Sequence, residues 1–240
     1  MPARAALKHP EHIHPALWRA SQITPARRAI LPTGHPGLDR ELLGGGWPLG
    51  TLIEFLPQGT GIGELQLLRP ALAQLDHRRQ ILLVNPPYPP SMQCWANWGL
   101  QSCRLIWLQA RSSESLWAVE QALRHNVFSA LLCWAEQISS QALLRLQRLA
   151  RRCDLLLIML RPHFAVRQAS PAPLRLSLTP TPLGLSIHIL KQRGPTSPGP
   201  IVVPLYLDAL DLPAPSPVAQ GLPTGSDRSP VALHASFDAS

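Results

Sequence analysis

Residues 31–68 read LPTGHPGLDRELLGGGWPLGTLIEFLPQGTGIGELQLL, and this stretch decides the fold. A Thr-Gly turn and a glycine cluster at residues 44–46 precede a short apolar strand at residues 52–56. A second glycine-rich loop follows at residues 57–63, and an apolar helical run begins at Glu64. A strand, a glycine loop and a helix in this order are the layout of a phosphate-binding P-loop, whose backbone N–H groups hold an anion.

The side chains that carry out phosphate chemistry are missing from this loop. A P-loop uses a Lys to reach the outer phosphates and a Ser or Thr hydroxyl to hold magnesium. Taking Gly61 as the last glycine of the loop puts Ile62 and Gly63 at those positions, and a shift of one residue puts Gly63 and Glu64 there. Neither register supplies a cation. The loop formed by Gly59, Gly61, Ile62, Gly63 and Glu64 is therefore predicted to be degenerate, kept for close packing, with no catalytic residue, cofactor or metal.

Composition bounds the class of protein. A chain of 240 residues with 45% hydrophobic side chains can form one α/β domain with a real core and tails. The net charge of +8 is compatible with binding to nucleic acid, to an acidic protein surface or to an anionic membrane, and it does not discriminate between them. No run of eighteen apolar residues occurs, so a cytoplasmic location is expected. The four cysteines are too widely spaced for a zinc site and are predicted to be buried thiols.

Strand and helix patterns alternate after the glycine loop. Apolar runs predict strands at residues 80–84, 104–108, 130–134 and 155–160, and helical periodicity fits residues 64–75, 91–100, 114–125 and the segment that follows Ser139. Alternation of this kind implies a parallel sheet with right-handed crossovers. Residues 174–178 and 185–189 instead alternate apolar with polar, which predicts an antiparallel hairpin. Pro70 is expected to kink the first helix or to divide it into two pieces.

Two segments of the chain resemble the start of the RecA recombinase core. They are LPTGHPGLD at residues 31–39 and GGGWPLGTLIEF at residues 44–55. Residues 17–50, followed by a G-I-G-E-L loop, resemble more closely the ImuA family, which comprises RecA-like accessory proteins of bacterial translesion synthesis and overlaps with sequences called SulA-like. The likeness covers about residues 15–207. It is carried by Thr33, Gly34, Leu38, Asp39, Gly45, Gly46, Pro48, Gly50 and residues 61–65.

The resemblance implies a RecA-like core that has lost the residues needed for ATP hydrolysis. In RecA, the strand that corresponds to residues 81–84 is followed by the glutamate that activates the attacking water. Here residues 85–88 read Asn-Pro-Pro-Tyr, with no carboxylate. A magnesium-binding acid would stand at the end of the next strand but one, where this chain has Trp134, with Glu136 two residues further on. These losses are independent of the loop, so ATP hydrolysis is not expected.

The function that the resemblance implies is a non-catalytic role in SOS-induced mutagenesis. Its expected partners are ImuB, which is a catalytically inactive relative of Y-family polymerases, an error-prone replicative-type DNA polymerase, and RecA. The alternative is a SulA-type division inhibitor that binds the tubulin-like protein FtsZ. Inhibitors of that kind are shorter, so the long N-terminal arm and the C-terminal extension favour the first function. An ATP-dependent recombinase is disfavoured by the missing groups.

Three segments of the chain carry candidate residues for binding a protein or DNA. Trp18 and Arg19 in the N-terminal segment are candidates for a protein contact, or they pack on their own domain. Arg145, Arg148 and Arg152 form an outer stripe on a predicted helix, which is either a solvated face or a site for DNA or an acidic partner. Arg161 and Arg167 lie in the segment that carries a DNA-binding loop in RecA, so single-stranded DNA is a further candidate ligand.

The expected domain organisation has three parts. Residues 1–30 form an N-terminal arm with a short helix, residues 31–207 form the RecA-like domain, and residues 208–240 form a Pro-rich disordered tail. Inside the domain, Trp95 and Trp98 lie at helical spacing, which is typical of a core-facing side of a helix. Stacking of nucleic-acid bases on these two rings is the alternative.

Overall fold

The structure, a computed structural model, describes residues 29–101, 104–194 and 199–205. The N-terminal arm up to residue 28, with Trp18 and Arg19, lies outside the described residues. The tail at residues 208–240 also lies outside them. The description that follows therefore concerns the central domain.

The central domain alternates strands and helices. The strands are β1 (Ile30–Leu31), β2 (Trp47–Pro48), β3 (Thr51–Pro57), β4 (Gln80–Val84), β5 (Leu105–Leu108), β6 (Phe128–Trp134), β7 (Leu156–Leu160), β8 (Leu174–Thr181), β9 (Gly184–Lys191) and β10 (Ile201–Pro204). The helices are α1 (Pro36–Glu41), α2 (Glu64–Gln74), α3 (Met92–Asn97), α4 (Ser112–His125) and α5 (Ser140–Ala150), with a 3-10 turn at His163–Arg167. Each strand predicted from the sequence is present within two residues of its expected bounds, except that β8 ends three residues later than expected.

Eight of the strands form one sheet in the order β10-β9-β8-β3-β7-β6-β4-β5. All neighbours from β8 to β5 are parallel. The β8–β9 and β9–β10 pairs are antiparallel, and β1 and β2 form a separate antiparallel pair. The prediction of an α/β protein with a mostly parallel sheet and a C-terminal antiparallel hairpin is confirmed.

Two hydrophobic clusters cover the two faces of this sheet. On one face, Ile53 and Phe55 of β3 pack with the buried side of α2 and with residues of α1 and α3. On the other face, Leu52 of β3 packs with the buried sides of α4 and α5. Because both faces of β3 and β7 are covered, every residue of β7 is buried, which explains its unbroken apolar sequence.

The tryptophans of α3 belong to the first of these clusters. Trp95 is 3% exposed and Trp98 packs against the cluster, with the two ring centroids 6.0 Å apart. Gly99, at a φ of +74°, follows the helix and ends it, as predicted. Since the Trp95 ring is buried, it is a core residue, and the alternative of base stacking on this ring is wrong.

Helix α2 continues across Pro70 as one element, so the expected division of the helix does not occur. The Thr-Gly turn lies against this proline. Gly34 has a φ of +83°, and a Cβ atom added there would collide with the Cβ of Pro70. A ring nitrogen of His35 lies 3.1 Å from the carbonyl oxygen of Leu67. The turn is itself closed by Asp39, whose Oδ1 accepts from the Thr33 N–H at 2.9 Å. Tertiary packing therefore supports the helix around its proline.

We expect Gly34→Ala to destabilise the protein more than Gly45→Ala. Both glycines have a φ of +83°, but no atom lies within 4 Å of a Cβ added at Gly45. Backbone strain costs about 1–2 kcal/mol at either site. Overpacking against Pro70 adds about 1–3 kcal/mol at Gly34 alone. Urea unfolding of the two variants measures the difference, and equal losses would show that the turn is not tightly packed on α2.

Candidate functional site

A cleft of about 540 Å³ opens at the carboxyl edge of the parallel strands. Its walls are the segments at residues 57–60, 85–87, 109–110, 134–137 and 160–163, which follow β3, β4, β5, β6 and β7. Ligands of open α/β sheets bind at this edge, where neighbouring strands send their connections in opposite directions. Strands β4 and β6 meet this condition, because they are neighbours whose connections lead to β5 and β7 on opposite sides of the pair. The glycine loop, Glu136 and Arg161 all meet here.

In the glycine loop, a backbone N–H group binds a carboxylate from the first turn of the helix that follows the loop. Gly61 and Gly63 have φ values of +73° and +108°, a left-handed conformation that only glycine adopts readily. The Gly61 N–H donates to Oε1 of Glu64 at 3.1 Å. Glu64 is 4% exposed, and its other carboxylate oxygen has no hydrogen-bond partner among the described residues. A carboxylate in the first turn of α2 thus takes up the N–H group that faces it, where the helix dipole favours a negative charge.

The chain that leaves β10 covers another side of the same loop. A Cβ atom added at Gly63 would lie 2.9 Å from Cδ1 of Leu205. The side-chain amide of Gln66 donates to the Leu205 carbonyl oxygen at 2.5 Å. Gly63 is therefore favoured by its backbone conformation, and the loop packs closely against the Leu205 side chain.

In RecA, catalytic acids follow the strands that correspond to β4 and β6. In this chain Asn85 follows β4, and Trp134 and Glu136 lie at the end of β6. Asn85 has a φ of 51°, and its Oδ1 accepts from the Ala110 N–H at 2.8 Å, so it joins the segments after β4 and β5. Trp134 is half-buried at the end of β6. Glu136 is exposed and is the one carboxylate among the described residues that line the cleft.

Sequence reasoning missed a buried group of charges beneath the cleft. Glu54, in the middle of β3, is fully buried. Its Oε1 accepts from Nη1 of Arg161 at 2.9 Å and its Oε2 accepts from Nε of Arg175 at 2.6 Å. A signal for this site was present, because a glutamate inside an apolar strand is almost never fully buried unless it is paired. We name Glu54, Arg161 and Arg175 the buried triad.

The buried triad fastens the segment after β7 to the sheet. The remaining Nη2 group of Arg161 donates to Oε1 of Gln168 at 2.7 Å, and Nη2 of Arg175 donates to the Ala165 carbonyl oxygen at 2.8 Å. Arg161 is 3% exposed, so the proposal that it contacts DNA is corrected: its guanidinium faces the interior. Arg167, at the end of the 3-10 turn, remains exposed.

The predicted arginine stripe does lie on the outside of α5. Leu143, Leu146 and Ala150 are buried, whereas Arg145 and Arg148 are exposed, as is Arg152 in the turn that follows. Ser139 caps this helix as expected, because its hydroxyl accepts from the Ala142 N–H at 3.1 Å. The structure therefore separates the proposed DNA contacts into one outer set of three and the isolated Arg167.

Cys133 and Cys153 are buried as predicted, whereas Cys94 is only partly buried and Cys103 lies outside the described residues. Burial raises the pKa of Cys133 to about 12. Burial also raises the pKa of Cys153, with Arg79 opposing the shift and Asp154 adding to it. Both thiols are thus protonated at neutral pH and are poor nucleophiles. Among the described residues no group of three potential metal ligands occurs, and no described helix is both long and apolar enough to cross a membrane.

Comparisons with known proteins give a likeness among solved structures only. No family model matches the chain, and no curated protein matches it. Among solved structures, the chain is similar to SulA from Pseudomonas aeruginosa, with 26% identity over 46% of this chain and 97% of that chain and a TM-score of 0.38. A TM-score of this size carries no argument about fold or function.

We expect Glu54→Gln to lower the free energy of unfolding by about 3–5 kcal/mol, because it leaves two buried guanidinium groups without a counter-charge. The matched control is Glu120→Gln, which breaks an ion pair with Arg145, whose side chain is 62% exposed. That change should cost about 1 kcal/mol or less. Urea unfolding measures both, and a similar small loss in the two variants would mean that the buried triad does not hold the structure together.

Proposed function

We propose that this chain is a non-catalytic accessory protein of SOS-induced translesion DNA synthesis, built on a RecA-like core. It acts by binding ImuB, an error-prone replicative-type polymerase or RecA. The pathway and the partners come from the sequence resemblance at residues 17–50 and 61–65. The observation that carries the non-catalytic part is the Gly61–Glu64 hydrogen bond, through which the glycine loop holds a carboxylate of its own chain.

A bound triphosphate would conflict with this arrangement. The Gly61 N–H is already an internal donor to Glu64 at 3.1 Å. A phosphate at the loop would place further negative charge beside a carboxylate that is 4% exposed, and burial strengthens such repulsion because water screens it less. The loop also offers no lysine to offset the charge. Nucleotide binding would therefore require the loop to open.

The rest of the cleft supplies no replacement for the missing groups. Transfer of a phosphoryl group needs cations around the phosphate and a residue that orients the attacking water. Arg161 is the one arginine among the described lining residues, and it is bound to Glu54. Glu136 stands at the rim without a cation that is hydrogen-bonded to it among the described residues. These features support a role in binding rather than in hydrolysis.

Both edge strands of the sheet carry exposed apolar side chains that suit the binding of partner proteins. Trp107 on the edge strand β5 is 45% exposed, and Val202 on the opposite edge strand β10 is 55% exposed. An edge strand presents unpaired backbone groups to which another chain can add. Exposed apolar side chains on such strands support the proposal that partner proteins dock on this domain.

The purified full-length chain is expected to show no ATP turnover and no saturable binding of a fluorescent ATP analogue at micromolar concentrations. The reason is the absence of a cation at the glycine loop together with the internal Glu64 contact. Phosphate release and fluorescence titration measure the two quantities. Turnover that Glu136→Gln abolishes would refute the non-catalytic assignment, since it would show that Glu136 serves a working site.

Deletion of the gene is expected to reduce damage-induced mutants to the undamaged background while damaged cells still filament. The frequency of mutants and the cell length are scored in the same cultures, and the intact gene restores mutagenesis. Reversal of this result, with mutagenesis retained and filamentation lost, would replace the proposal with the alternative of a SulA-type division inhibitor that binds FtsZ.

A further inference from the structure

The outer face of α5 carries arginines that the fold does not use. Arg145 and Arg148 are exposed on the helix, and Arg151 and Arg152 are exposed in the turn that follows. Arg148, Arg151 and Arg152 make no hydrogen bond or ion pair with any described residue. Their charges are therefore available to a ligand.

Helix α4 extends this basic surface. Glu120 of α4 accepts from Arg145 across the two helices at 3.0 Å and lies 3.8 Å from Arg124 on its own helix. This contact places the outer faces of α4 and α5 side by side and brings Arg124, which is 56% exposed, to the same surface. Its acidic neighbours are Glu114, one helical turn before Trp117, together with Glu120 and Asp154, against five arginines, so the surface keeps an excess of positive charge.

Arginines elsewhere in the domain show how this protein uses a guanidinium for structure. Arg79 donates to the carbonyl oxygens of Asn126 and Asp154, and Arg104 donates to those of Asp76 and Arg79. Each of these side chains connects loops at the amino edge of the sheet. The arginines on α4 and α5 make no comparable contact with the backbone carbonyl groups of the described residues, which separates them from the structural set.

An exposed aromatic ring lies on the same face of α4. Trp117 is 65% exposed and precedes Glu120 by one helical turn, so it shares the outer side of the helix. On the neighbouring helix, Leu144 is 37% exposed. A flat ring beside exposed cations is the combination that binds single strands, because bases stack on the ring while the cations contact phosphates.

We propose that the surface formed by Trp117, Arg124, Arg145, Arg148, Arg151 and Arg152 binds single-stranded nucleic acid. This α4–α5 surface would hold phosphates on Arg145 and Arg148, which are about 4.5 Å apart along the helix axis, and on Arg152 in the turn that follows. A base stacks on Trp117. The inference goes beyond the proposed function, which concerns protein partners, and it is tested without them.

The distribution of charge favours nucleic acid over an acidic protein. Protein interfaces centre on a desolvated apolar core from which charged residues are depleted, with the charges at the rim. On the α4–α5 surface five arginines stand against two large exposed apolar side chains among its described residues, Trp117 and Leu144, so charged groups outnumber apolar ones. A polyanion with regularly spaced charges and unstacked bases fits this arrangement better.

The test is the binding of a fluorescently labelled oligo-dT to the purified full-length chain, measured by fluorescence anisotropy over a series of salt concentrations. Each neutralised phosphate of a single strand contributes about 0.7 to the slope of log affinity against log salt. The triple variant R145A/R148A/R152A should therefore have a slope shallower by about 2. Trp117→Ala should weaken binding about five-fold or more at fixed salt, with the slope unchanged, because it removes one stacked base.

The matched control is Arg40→Ala, since Arg40 is exposed on α1, on the opposite side of the sheet, and should leave both quantities unchanged. Unchanged unfolding midpoints show that all variants are folded. An unaltered slope in the triple variant would overturn the proposal. Tighter binding of a DNA duplex would also overturn it, as would binding of poly-glutamate without binding of oligo-dT, which would assign the surface to an acidic protein.

Discussion

The carboxylate of Glu54 is the constraint on which much of the domain depends. It lies fully buried in the third strand, between guanidinium groups from the end of β7 and from β8. Removing three charged groups from water is costly, and the cost is offset only where every charge finds partners. One carboxylate satisfies only part of two guanidinium groups. Two further donors find acceptors, at Gln168 and at the Ala165 carbonyl oxygen, whereas Nε of Arg161 has no partner among the described residues.

This requirement determines the path of the chain between β7 and β8. Because the acceptors lie in the segment that follows β7, that segment must fold back onto the sheet instead of extending from it. Ala165 and Ala172, both fully buried, complete the packing. The same contacts connect the parallel part of the sheet to the antiparallel hairpin, since Glu54 and Arg175 are register partners on β3 and β8. Satisfying one buried carboxylate thus shapes one wall of the cleft.

The elements were largely predictable from the sequence because their signals are local. The strand at residues 80–84 has the predicted bounds, since polar residues and prolines delimit its apolar run. The 3.6-residue period identified the buried side of α5 and its outer arginines. Helix α4 begins at Ser112, earlier than the expected start at Glu114, because Glu114 reaches back to accept from the Arg111 N–H at 3.2 Å.

The features that sequence reasoning missed all depend on distant partners. Periodicity places Arg161 after a strand, but only the fold brings it to Glu54, which lies 107 residues away. The β1–β2 pair has two residues in each strand, too few for any periodic signal. Likewise, Pro70 was expected to break the helix because nothing local shows that Gly34 packs against it.

The candidate site was harder to predict than the helices and strands, because its contacts also depend on the folded chain. The missing lysine was visible in the sequence, whereas the use of Glu64 as the anion of the glycine loop was not. In the interior, Glu54 binds the guanidinium group of Arg161, and Glu64 binds the Gly61 N–H, so neither donor is free for a ligand. At the surface of α4 and α5, one half-buried carboxylate contacts two of the arginines, and the others have no described partner. A domain that closes its nucleotide-type loop internally while leaving cations on its outer helices has its binding capacity on its outside. This division of charge suits the accessory role proposed above, in which partners would be bound without turnover of a nucleotide.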